Sequence, residues 1–118
     1  MKSKVKIGKR RCLGEFARTP NGFDLSYDFE GDNCKLLYDG KTLTHRKGGE
    51  IPVKIDFCEG KKTECAIGDN SLFGSVEVLT RSLTVRERGG EINVAVDYLL
   101  GEDETKIDIS VYPEEEID

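Results

Sequence analysis

Few side chains in this 118-residue chain are suited by type to chemistry at neutral pH: one histidine, His45, and four cysteines, Cys12, Cys34, Cys58 and Cys65. Imidazole changes charge near neutrality, so His45 is the natural acid–base or ligand-orienting candidate. No serine or cysteine stands near it in a recognisable nucleophile arrangement. A partly buried imidazole hydrogen-bonded to backbone is the plainer expectation. The cysteines lack the short paired spacing of a zinc or redox site, so they read as reduced thiols serving as small hydrophobes, and no metal is expected. Carboxylates cluster at Asp24 and Asp28 and at Glu102, Asp103 and Glu104, but on outward phases or in turns, where they cannot converge on a substrate. Gly48-Gly49 and Gly89-Gly90 open no helix, which argues against a phosphate cradle. No catalytic residue and no cofactor is assigned, and an enzyme is the least favoured class.

The elements that must position these groups are strands. Apolar residues alternate with polar ones in Leu25-Ser26-Tyr27-Asp28-Phe29 and at Ile51, Val53, Ile55 and Phe57. The same period of two runs through Leu72, Gly74, Val76 and Val78, through Ile92, Val94, Val96 and Tyr98, and through Ile107, Ile109 and Val111. Each run predicts a strand with one buried face, and none shows helical spacing. Glycine turns separate the runs: Asn21-Gly22, Asp39-Gly40, Gly48-Gly49, Glu59-Gly60, Gly89-Gly90 and Gly101. Asp39-Gly40 predicts a two-residue turn, and a three-residue loop Gly60-Lys61-Lys62 would put Phe57 and Cys65 on one inward face. Gly74 reads as a bend or bulge inside a strand, or as a point where a ligand approaches backbone closely. Leu43–Ile51 and Leu83–Ile92 resemble one another, as two hairpins under one turn constraint would, and by this match His45 stands where Val85 does, facing inward near a mouth.

Turns at regular spacing predict an all-β barrel or sandwich, and closure, which removes two exposed edges, favours the barrel; the expected fold is a single antiparallel up-and-down barrel of roughly 8–10 strands. Residues 1–113 form the one domain expected, and 114–118 an acidic tail. A formal charge of −5 disfavours nucleic acid as a partner. Lys2, Lys4, Lys6, Lys9, Arg10 and Arg11 nevertheless crowd the first strand, and Glu114-Glu115-Glu116-Ile117-Asp118 closes the chain, so the two ends should attract if the first and last strands pair. No apolar run is long enough for a membrane helix and no secretory h-region follows Met1, so a cytoplasmic protein without membrane contact is expected.

Three stretches together resemble the YwiB-like family of uncharacterised bacterial proteins: Leu25-Ser26-Tyr27, Phe73-Gly74-Ser75-Val76-Glu77-Val78-Leu79-Thr80, and Ile92–Tyr98 followed by Ile107–Val111. The resemblance covers Gly14 to Tyr112. It implies a calycin-like β-barrel and, through calycins generally, a cavity for a small apolar ligand, but no catalytic residues. The family begins with a longer N-terminal hairpin and often has an aromatic where Cys65 or Ile67 stands. The barrel is therefore expected to be open, short of a strand, or closed by one strand bent around Gly8 or Gly14. Phe16, Tyr27, Phe29, Tyr38, Phe57 and Tyr98 fall on inward phases and would fill much of the interior. Tyr27, Tyr38, His45, Gly74 and Tyr98 are the candidate ligand-binding residues. The alternative is a protein-interaction or homodimerisation module working through a free edge strand.

Overall fold

A computed structural model describes residues 1–68 and 74–114 of the chain. The described residues form strands β1 (Lys2–Ile7), β2 (Arg10–Arg18), β3 (Phe23–Phe29), β4 (Asp32–Tyr38), β5 (Leu43–Lys47), β6 (Val53–Phe57), β7 (Lys62–Ile67), β8 (Ser75–Arg88), β9 (Glu91–Leu100) and β10 (Asp103–Pro113). Consecutive strands pair antiparallel, and β1 also pairs with β10, opposite Ile109 at Ile7 and opposite Pro113 at Ser3. The sheet is a closed up-and-down barrel. Side chains alternate across it, so one phase of every strand meets inside. Val5, Phe16, Leu25, Leu36, Leu43, Phe57, Val78, Val94, Ile109 and Val111 are all buried there.

Closure corrects the expectation drawn from the N-terminus. Residues before Gly14 make a full hairpin, because Gly8 adopts φ +58° and reverses the chain within Gly8-Lys9. The lysines obscured this. Lys2, Lys4 and Lys6 face water while Ser3 and Val5 are buried. With β1 held between β2 and β10, the free edge behind the edge-strand reading is absent among the described residues. The chain ends do meet: the Glu114 amide donates to the Lys2 carbonyl at 2.8 Å, and Lys4 Nζ lies 3.9 Å from Glu114 Oε1. The rest of the acidic tail, 115–118, lies outside the described residues, as do Leu72 and Phe73.

Several turns also differ from expectation. Asp39-Gly40 belongs to a four-residue loop, with Tyr38 opposite Leu43. Asp39 Oδ1 accepts from the amides of Lys41 and Thr42, so its side chain shapes a wider reversal than two residues allow. Phe57 and Cys65 are both buried as predicted, but Lys62 is already in β7 and the reversal is made by 58–61. Ile51 precedes β6 and is 52% exposed. The two similar segments part here: Gly89-Gly90 is a two-residue turn that leaves Ile92 buried in β9, whereas 48–52 is a five-residue loop. Gly74 lies ahead of β8 and not within a strand, at φ +99°.

The break in β8 falls instead at Arg81, an extra residue between Thr80, opposite Tyr98, and Ser82, opposite Asp97. Such a bulge bends its strand. Arg81 is pinned by Asp97 at 2.6 Å and Glu104 at 3.0 Å. Beyond it β8 reaches a distant loop and a distant strand: the Leu83 amide donates to Glu59 Oε1 in the 58–61 reversal at 3.2 Å, and Glu87 is ion-paired with Arg18 at the end of β2. The distal half of the β8–β9 hairpin therefore lies against the end of the barrel where β2 finishes.

Candidate functional site

Up-and-down topology sends alternate turns to opposite ends. Gly8-Lys9, Glu30-Gly31, the 48–52 loop and Gly101-Glu102 share the end away from Arg18. A mouth of about 480 Å³ opens there. Its walls are Ile7 of β1, Tyr27 and Phe29 of β3, Cys34 of β4, His45 of β5 and Ile107 of β10, with Lys47, Lys106 and Asp108 at the rim. The inward phase of each strand supplies an apolar or aromatic group, so the cleft is greasy with a charged margin. That volume lies within the range of small-molecule sites.

Two candidates from the sequence meet in this mouth. Tyr27 Oη lies 2.9 Å from His45 Nε2, and the two rings are tilted by only 16° with centroids 6.5 Å apart. The partner of His45 is thus a side chain two strands away and not backbone. Burial lowers the His45 pKa, and the Lys47 cation lowers it further. Burial raises the Tyr27 pKa, with the Cys34 and Cys12 thiols adding to the effect. Burial likewise raises that of Cys34. At neutral pH the mouth therefore holds a neutral imidazole, a neutral phenol and a protonated thiol. These groups can donate and accept hydrogen bonds, but none is activated as a nucleophile or poised as a strong acid.

The other candidates are elsewhere. Tyr38 is at the opposite end, against Phe23 at 5.8 Å, beside a groove lined by Cys58, Lys61 and Leu83. Tyr98 packs edge-on to Phe57 at 4.8 Å within the core. Gly74 precedes β8, and neither it nor Tyr98 is among the residues lining the mouth. Sequence reading missed Ile7, Cys34, Lys47 and Ile107 as wall residues. Ile107 carried a usable signal in its inward phase, but Ile7 was hidden by the unrecognised first hairpin. Phe23 was also missed as a core aromatic, though it is buried against Phe16 at 5.6 Å. Among the described residues no cluster of His, Cys, Asp and Glu is arranged to hold a metal ion.

The described residues make a closed ten-stranded antiparallel barrel, and the class this defines is one of fold. The crystal structure of the ywiB protein from Bacillus subtilis is similar to this chain, with a TM-score of 0.55 at 11% identity, covering 97% of this chain and 88% of that one. The likeness is one of fold, and it is the fold that the YwiB-like resemblance implied. No family model matches the chain, and no curated protein matches it.

Proposed function

We propose that this protein binds a small, mainly apolar molecule in the mouth between β1, β3, β4, β5 and β10, in the manner of calycin-like barrels. The observation that carries this reading is the Tyr27–His45 pair, a hydrogen-bonded polar anchor set among Ile7, Phe29, Cys34 and Ile107. Apolar walls supply affinity in proportion to the area they take from water, and a few fixed polar groups select orientation. His45 Nδ1 makes no hydrogen bond among the described residues and is not sealed from solvent, which leaves it available to a ligand. Homodimerisation through an edge strand is not adopted, because its premise was an unpaired β1.

Native mass spectrometry of freshly purified protein, with titration by the neutral fluorophore N-phenyl-1-naphthylamine, tests the proposal. Saturable binding is expected, weakened roughly tenfold by Ile107→Trp, which fills the mouth, and less by Tyr27→Phe, which removes one hydrogen bond. A probe that fails to saturate, or binds Ile107→Trp as tightly as wild type, defeats it.

A further inference from the structure

The outer wall of the barrel carries a row of residues in strict cross-strand register. Glu15 on β2, Ser26 on β3, Lys35 on β4, Arg46 on β5, Lys54 on β6 and Ala66 on β7 stand opposite one another in turn. Three in succession, Lys35, Arg46 and Lys54, are cations, and all three are exposed. Neighbouring strands lie about 4.8 Å apart, so Arg46 has a lysine roughly 5 Å away on each side, and three positive charges occupy roughly 10 Å of wall. Like charges placed directly opposite destabilise a sheet.

The chain does not lack anions to neutralise them, with 23 acidic residues against 18 lysines and arginines. Some cations are ion-paired among the described residues: Lys4 with Glu114, Arg10 with Glu30, Arg18 with Glu87, Lys47 with Asp32, Lys62 with Glu77, and Arg81 with both Asp97 and Glu104. Lys35, Arg46 and Lys54 have no ion pair or side-chain hydrogen bond among the described residues. Asp56 is two residues along β6 on the same face, and its carboxylate accepts the Thr44 hydroxyl at 2.7 Å. Lys47, next to Arg46 but on the phase of His45, is taken by Asp32 at 3.6 Å. The three cations border a groove of about 450 Å³ whose other walls include Asn33, Pro52, Val53 and Ala66.

We propose that this row is a binding site for a small molecule bearing two or three linked phosphate groups. A single phosphate could not span three cations, whereas a chain of phosphates laid across the strands meets each in turn. Arg46 presents a planar fork to phosphate oxygens, and the flanking lysines act as point charges. The groove has the volume of a small-molecule site, and the molecule's net charge of −5 works against a long polyanion. Lys35, Arg46 and Lys54 face outward, on the opposite phase to His45, and Lys47 lies between this groove and the mouth.

Calorimetric titration and thermal unfolding with inorganic tripolyphosphate test the assignment, against sodium chloride at matched ionic strength. Tripolyphosphate should bind saturably and raise Tm beyond the salt control, and Arg46→Gln or Lys54→Gln should weaken it roughly tenfold each. Without ligand at low salt, Arg46→Gln should be at least as stable as wild type, since it relieves repulsion. Adenosine triphosphate is the second arm: equal affinity supports recognition of phosphates alone, and tighter binding supports a groove that also takes the nucleoside. Three results overturn the proposal: a tripolyphosphate effect no larger than that of salt, an effect that survives in the Lys35→Gln, Arg46→Gln, Lys54→Gln triple variant, or a single-stranded oligonucleotide that binds more tightly than either small ligand.

Discussion

His45 and Tyr27 illustrate how two ordinary residues acquire a role from their surroundings. Buried among apolar groups and next to Lys47, His45 resists protonation, so the folded chain takes up its imidazole proton less readily than the unfolded chain. Over that interval the unfolded state holds more protons, and stability rises with pH. This contribution is intact above the ordinary imidazole range near ~6.5 and is lost as pH falls through it. Urea unfolding at about pH 7.5 and about pH 5.5 should show a larger acid loss in wild type than in His45→Gln; parallel losses would remove His45 from the account. Tyr27 gives the opposite slope at the other extreme. Its phenol ionises more readily unfolded, so stability should fall above about pH 10, and less steeply in Tyr27→Phe. At this scale the sequence was partly legible. Phase placed His45 and Tyr27 inside, but phase says nothing about which inward residues share an end of a barrel. Tyr38 satisfied the same alternation and lies at the far end, because β4 runs opposite to β3.

Among the elements, turns were harder to read than strands. Alternation identified the buried faces of β3, β6, β9 and β10, since burial of one side imposes a period of two whatever the tertiary context. Turn length has no such signature: Asp39-Gly40 opened a four-residue loop, and Gly8 was not recognised as a turn. Two glycines show what the turns require. Gly8 has open space around a missing Cβ but adopts φ +58°, so Gly8→Ala should cost only about 1 kcal/mol of strain. At Gly22 a Cβ would stand 1.9 Å from the Tyr38 carbonyl oxygen, which is backbone and cannot swing aside. Gly22→Ala should therefore cost at least ~2 kcal/mol in urea unfolding. Similar losses at the two positions would mean that the β2–β3 turn is not tightly seated on the β4–β5 loop. The Arg18–Glu87 pair that ties β8 to β2 is exposed, so Glu87→Gln should change stability by no more than ~1 kcal/mol.

At the scale of the whole molecule, closure was the property that sequence could not settle, because it depends on whether the six residues Lys2–Ile7, rich in lysine, make a strand. They do, and β1 completes the circle. Deleting residues 1–8 should expose the edges of β2 and β10 and give concentration-dependent self-association in sedimentation, against none for the full chain at the same concentrations. Equal behaviour would mean that the barrel recloses without β1. The seam also has a consequence in time. Val5 pairs with Val111, so during synthesis β1 waits for β10 before that side of it can pair. At roughly 5–20 residues per second that delay is on the order of 5–20 seconds, during which the growing sheet has an unfinished margin on both sides. Lys2, Lys4 and Lys6 project from that margin, and charged side chains of this kind disfavour pairing of an open edge with other chains.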